Sequence, residues 1–170
     1  MGWRPAVART ERSLPWLAAF ALALGVPLLP LLPQLAPPGR GFWWDFSMSV
    51  GFGALALFGT LFALTARFRR ATLPFGIDVV YWFHRYLAIG AVGLAIAHYA
   101  IVRLMYPAAL GAADPRIAPA AMTAGRIGLA LLVLVIALSL LRRALRHDYD
   151  RWRRLHALMA TAGFALALAH

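Results

Sequence analysis

HRYLAIGAVGLAIAH, residues 84–98, carries a histidine at each end of an almost wholly apolar stretch. HALMATAGFALALAH, residues 156–170, repeats the length and the histidine ends. An α-helix turns about 100° and rises about 1.5 Å per residue, so fourteen steps return to within about 40° of the start and climb about 21 Å. His84 and His98 therefore share one face of one helix, near its two ends, and His156 and His170 do the same on another. Ionisable groups at such positions in apolar helices are functional candidates by default.

The rest of the chain says what these helices sit in. It has 170 residues, 62% of them hydrophobic, and a mean hydropathy of +0.72. That is too apolar for a soluble domain of this size, and apolar runs long enough to cross a bilayer recur along it. The fold class is all-α, a polytopic transmembrane helix bundle. Five spans are expected, at about 14–34, 43–66, 79–102, 121–141 and 152–170, behind an N-terminal segment 1–13. Pro27, Pro30 and Pro33 kink the far end of the first. Phe42, Trp43 and Trp44 open the second as interfacial aromatics. The N-terminal stretch does not read as a cleaved signal, because charge extends to Arg12 and no small-residue cleavage site clearly follows.

The absence of cysteine excludes disulfides, thiolate metal sites, iron–sulfur clusters and covalent c-type haem. The formal charge of +11 comes from 17 arginines with no lysine. In a soluble protein that excess points to nucleic acid. Here the arginines cluster between apolar runs, so membrane lipid is the expected partner and nucleic acid is not. Arg4, Arg9 and Arg12 precede the first span, and Arg67, Arg69 and Arg70 follow the second. Arg142, Arg143, Arg146, Arg151, Arg153 and Arg154 lie between the last two. The other loops hold only Arg40, Arg103, Arg116 and Arg126, partly offset by Asp45 and Asp114. Positive segments stay inside, which makes the N-terminus cytoplasmic.

On that topology both histidine helices run from inside to outside. His84 then matches His156 at the inner level, and His98 matches His170 at the outer. On the same faces lie Ala88, Ala91 and Ala95, and Ala160, Gly163 and Ala167. Two facing histidine columns lined by small residues suit a flat, large group, and an imidazole on each side of an iron is a standard ligation of haem b. Two stacked bis-histidine haems are the expectation, their irons about 20 Å apart on the helix rise. Close helix packing is the competing use of the small residues. His147 reads as a solvated loop residue, and Met48, Met105, Met122 and Met159 as packing residues.

At these residues the chain resembles the ferric reductase-like transmembrane domain, the family of ferric reductases and NADPH oxidases. The motifs that carry the resemblance are PFGIDVVYWFHRYLA (74–88), AHY (97–99), YDRWRRLHALMA (149–160) and the closing ALAH. The resemblance is strongest over about 45–170. It implies that His84, His98, His156 and His170 are haem ligands. It also implies transmembrane electron transfer from cytoplasmic NAD(P)H through FAD and the two haems to an acceptor such as ferric iron or dioxygen. FAD and NAD(P)H are expected on a further domain or a partner flavin reductase, since no glycine-rich dinucleotide fingerprint occurs here. A sixth span belongs to the family pattern and is not seen. With His170 in the final position, the outer haem is expected to be the less firmly held. Integral insertion in a bacterial cytoplasmic membrane follows as the expected location.

Arg85 and Arg153 are candidates for inner-haem propionates, or simply inside anchors. Arg126 is a candidate for an outer propionate or an anionic acceptor. Asp78 is expected to favour the start of the third span. A quinol-linked di-haem cytochrome b shares the histidine spacing and is the alternative reading. A histidine-lined proton or metal-ion conductor is a further one, weakened by the lack of Asp or Glu in the core of any span.

Overall fold

The computed structural model describes residues 41–65, 77–142 and 148–170, with isolated helical positions at 15, 18, 21, 22 and 25. Apart from those positions the first expected span lies outside the described residues, as do the basic segments at 4–12, 67–70 and 143–146 and His147.

Four long helices are described: α1 Phe42–Thr65, α2 Ile77–Met105, α3 Ala120–Leu141 and α4 Tyr149–Ala169. A short 3-10 turn, Pro107–Leu110, follows α2, and no strand occurs among the described residues. The all-α expectation holds, and the four described helices start and stop within a few residues of the expected second to fifth segments.

Local chemistry sets the helix ends. Gly41 adopts φ 107°, a conformation open to glycine, and its carbonyl accepts from the N–H groups of Trp44 and Asp45. Asp78 lies in the first turn of α2, where a carboxylate meets the positive end of the helix dipole. The Asp148 side chain caps α4, accepting from the N–H groups of Asp150 and Arg151 at 3.0 Å each. Inside the helices, the hydroxyls of Thr60, Thr65 and Ser139 donate to carbonyls one turn back. That satisfies them where no water is at hand.

Three helices are long and apolar enough to cross a membrane, over Phe42–Phe62, Asp78–Met105 and Ala120–Leu141. The expected fifth span is present as the helix α4 but is not among them. Asp150, Arg151, Arg153 and Arg154 occupy its first turns. The apolar remainder, 155–169, rises only about 22 Å against a hydrocarbon core of about 30 Å. Five spans are therefore not established.

The helices associate as two pairs, α1 on α2 and α3 on α4, with lighter α2–α3 and α1–α4 contacts joining them. The two histidine helices, α2 and α4, hardly approach each other along their backbones. At mid-depth the bundle closes on an apolar core of Ala54, Phe58, Leu61, Ala91, Val92 and Leu132, with Phe164 packed against it.

Two of the small residues expected to line the histidine columns pack between helices instead. Ala91, midway between His84 and His98, is fully buried in this core. Gly163 meets α3: a methyl on it would stand 2.9 Å from Leu132 Cγ, and one on Gly128 would stand 3.0 Å from the Gly163 carbonyl. Both glycines let the α3 and α4 backbones touch. The histidine pairs are thus separated by packed side chains.

Candidate functional site

The structure brings all four histidines together in the pairs that depth predicts, His84–His156 being called the inner pair and His98–His170 the outer after the expected orientation. The His84 and His156 ring centres are 6.2 Å apart, with planes inclined at 56°. The His98 and His170 centres are also 6.2 Å apart, inclined at 69°. An imidazole nitrogen binds a metal at about 2.0–2.1 Å and lies about 1.1 Å from its ring centre. Two imidazoles ligating one metal from opposite sides therefore have centres about 6.3 Å apart. Both pairs stand at that separation.

Tautomers follow from the hydrogen bonds. His98 Nδ1 lies 2.8 Å from the Ser47 carbonyl oxygen. A carbonyl only accepts, so Nδ1 carries the proton and Nε2 keeps its lone pair. The Ser47 hydroxyl, fully buried, lies 3.0 Å from the same nitrogen and donates to the His98 carbonyl at 3.3 Å. His170 Nδ1 donates in the same way to the Ala121 carbonyl at 3.1 Å. The Ser139 hydroxyl spends its proton on the Val135 carbonyl at 2.6 Å, so it accepts from His156 Nδ1 at 3.1 Å. Three imidazoles therefore hold Nδ1–H toward an acceptor and leave the Nε2 lone pair free to bind a metal. That is the arrangement in which histidine ligates metals, its second nitrogen fixing tautomer and ring direction. His84 is the exception: its Nδ1 is buried with no partner among the described residues.

Glycines make room for the outer rings. A methyl on Gly51 would stand 3.0 Å from His98 Nδ1, and one on Gly125 only 2.6 Å from His170 Nδ1. At the inner level Trp152 lies against His156, with centres 5.2 Å apart, and Arg142 stacks on Trp152 at 4.8 Å. Ser47, Ser139, Gly51, Gly125 and Trp152 were not foreseen. They lie on the neighbouring helices or at offsets the histidine period does not mark, apart from the tryptophan, which stands one turn before His156.

No cluster of three or more His, Asp, Glu or Cys occurs among the described residues. Among the described residues each pair thus offers a metal two imidazole nitrogens and no third His, Asp, Glu or Cys. A metal held there brings its remaining ligands with it, as the iron of a porphyrin does. The residues present fit such a group.

The arginines divide. Arg85 and Arg153 are exposed at the inner end, and Arg85 stands 5.9 Å from the Tyr86 ring. Arg126 donates to the Ala112 and Leu110 carbonyls, at 2.7 Å each, so it pins the outer loop across the top of the bundle. A cavity of about 320 Å³ opens beside it, lined by Tyr99, Arg103, Leu110 and Arg126 among others. Two neutral carbonyls fix the Arg126 guanidinium without cancelling its charge.

A family model described as ferric reductase like transmembrane component matches residues 50–167. The match takes in His84, His98 and His156, and His170 follows it. No curated protein and no solved structure matches the chain.

Proposed function

The chain belongs to the ferric reductase-like transmembrane family, a family of membrane oxidoreductases, and from that membership we propose that it passes single electrons across the bilayer between two haem b groups. His84 and His156 hold the inner group, and His98 and His170 the outer. The donor is reduced flavin fed by NAD(P)H, on a flavin reductase domain or partner protein. The acceptor lies on the outer side and is ferric iron or dioxygen. One observation carries the reading: two imidazole pairs at metal-bridging separation, with Nδ1–H engaged on three of the four rings.

Bound haem would supply a one-electron carrier at each level. Everything else falls to the chain. His98, His156 and His170 present Nε2, while Ser47, Ala121 and Ser139 hold their Nδ1 protons and stop the rings from turning. The core around Ala91, Leu132 and Phe58 keeps water from the space between the levels. Arg85 and Arg153 stand where propionates at the inner surface need cations. Arg103 and Arg126 give the outer cavity a positive lining, suited to a propionate or to an anionic ferric chelate.

The test uses the haem-loaded full chain in proteoliposomes, with dithionite outside and ferricyanide trapped inside. Reduction of the trapped ferricyanide by wild type, and its loss in both His84→Ala and His98→Ala, is the expected result. Loaded vesicles that leave the ferricyanide oxidised contradict the proposal. Haems reduced by a quinol but not by reduced flavin would move the assignment to a quinol-linked cytochrome b.

A further inference from the structure

The two imidazole pairs are built alike in spacing but not in what lies behind them. At the outer pair both Nδ1 protons go to backbone carbonyls, at 2.8 Å for His98 and 3.1 Å for His170. The Ser47 hydroxyl oxygen adds a second acceptor at 3.0 Å. At the inner pair only His156 donates, and to a hydroxyl oxygen, at 3.1 Å. His84 Nδ1 is buried with no partner among the described residues.

Given the di-haem reading above, on which this rests, we infer that the two sites differ in reduction potential, the outer lying below the inner, and that Ser139 is a positioning residue that sets the inner value. An imidazole that donates Nδ1–H to an acceptor gains electron density at Nε2 and becomes a more basic ligand. Such a ligand favours the more highly charged ferric ion over the ferrous one, and so lowers the potential. The outer pair has this support on both rings, from amide carbonyls. Among the described residues the inner pair has it on one ring, from a hydroxyl.

Charge acts with the same sign. Arg85, Arg142, Arg151, Arg153 and Arg154 lie towards the inner ends of their helices, with Asp78, Asp148 and Asp150 as the carboxylates there. The outer level has Arg103, Arg116 and Arg126 against Asp45 and Asp114. A larger positive excess favours the reduced, less positive form, and so raises the inner value. At equilibrium a single electron therefore resides at the inner level. It reaches the outer level against a small gradient, and withdrawal by the external acceptor gives the transfer its direction.

Spectroelectrochemical titration of the purified, haem-loaded full chain tests this. Wild type should titrate in two one-electron components, and His98→Ala should remove the lower one. Ser139→Ala should raise the upper component and leave the lower in place, changing the inner-to-outer electron distribution about tenfold, or 59 mV for one electron. Ser139→Thr keeps the hydroxyl and should restore the wild-type value. Ser49→Ala, whose hydroxyl donates to the Asp45 carbonyl, should move neither component. Loss of the upper component in His98→Ala would overturn the inference, as would a Ser139→Ala variant that shifts both components equally or shifts none. Two haems with coincident potentials would also overturn it while leaving the di-haem reading intact. A chain that binds no haem would instead overturn that reading.

Discussion

Gly125→Ala should empty the outer site while sparing the fold. The added methyl would lie 2.6 Å from His170 Nδ1, 2.7 Å from Cγ and 3.0 Å from Cε1. Ordinary contact begins near 3.4 Å, so the ring must retreat by about 0.8 Å, whereas metal–nitrogen distances hold to within about 0.2 Å. The shift is about four times that tolerance, and it also stretches the 3.1 Å bond from Nδ1 to the Ala121 carbonyl. His170 is exposed and follows the last helical residue, so its ring can swing aside at little cost to packing. The loss therefore falls on ligation. Misplacing the ligand by about 1–3 kcal/mol weakens outer haem binding by about 5- to 150-fold. The assay is haem per chain by pyridine haemochrome, on protein purified at limiting haem. Gly90→Ala is the control, since a methyl there meets nothing within 4 Å. Gly125→Ala should fall from two haems towards one, while Gly90→Ala stays at two. A Gly125→Ala protein with two haems and an unchanged spectrum would refute the placement of His170 as a ligand.

Other outcomes follow from the same structure. Gly128→Ala drives a methyl to 3.0 Å from the Gly163 carbonyl and 3.2 Å from Ala167 N. It should cost about 1–3 kcal/mol, read as a lower melting midpoint in detergent; an unchanged midpoint would contradict the close α3–α4 approach. Arg126→Gln removes two bonds from a charged donor to the outer loop, each worth about 1.5–3 kcal/mol. Trypsin should then cleave after Arg116 about tenfold faster or more, and an unaltered rate would show that Arg126 does not hold the loop. The cysteine-free sequence allows a direct topology test with Arg12→Cys, Arg70→Cys and Arg116→Cys. An impermeant maleimide should label position 116 in intact spheroplasts, and positions 12 and 70 only after permeabilisation; the reverse pattern would invert the bundle.

What was legible in the sequence was whatever a single helix carries by itself. The interval of fourteen from His84 to His98, repeated from His156 to His170, places each pair on one face whatever the helix packs against. Arginine placement predicts an orientation for the spans, because that bias acts on each loop separately. What escaped depends on which helices become neighbours. Ser47 is one of several serines until α1 packs beside α2 and its carbonyl meets His98 Nδ1. Gly125 reads as an ordinary glycine until His170 fills the space its missing side chain leaves. The small-residue column misled in part, because Gly163 serves the α3–α4 contact and Ala91 the apolar core. Small side chains admit a helix as readily as a cofactor, and sequence period does not distinguish the two. α4 shows a further limit: the length of a helix can be read from the sequence, but its charged first turns shorten the part that lipid can cover.

The measurement that bears most directly on the account is a reduced-minus-oxidised spectrum with haem stoichiometry, on wild type, His84→Ala, His98→Ala and the double variant. Two b-type haems per chain in wild type, one in each single variant and none in the double variant is the predicted series. Wild-type protein without a Soret band after haem supplementation, or a stoichiometry that His98→Ala leaves unchanged, would contradict it.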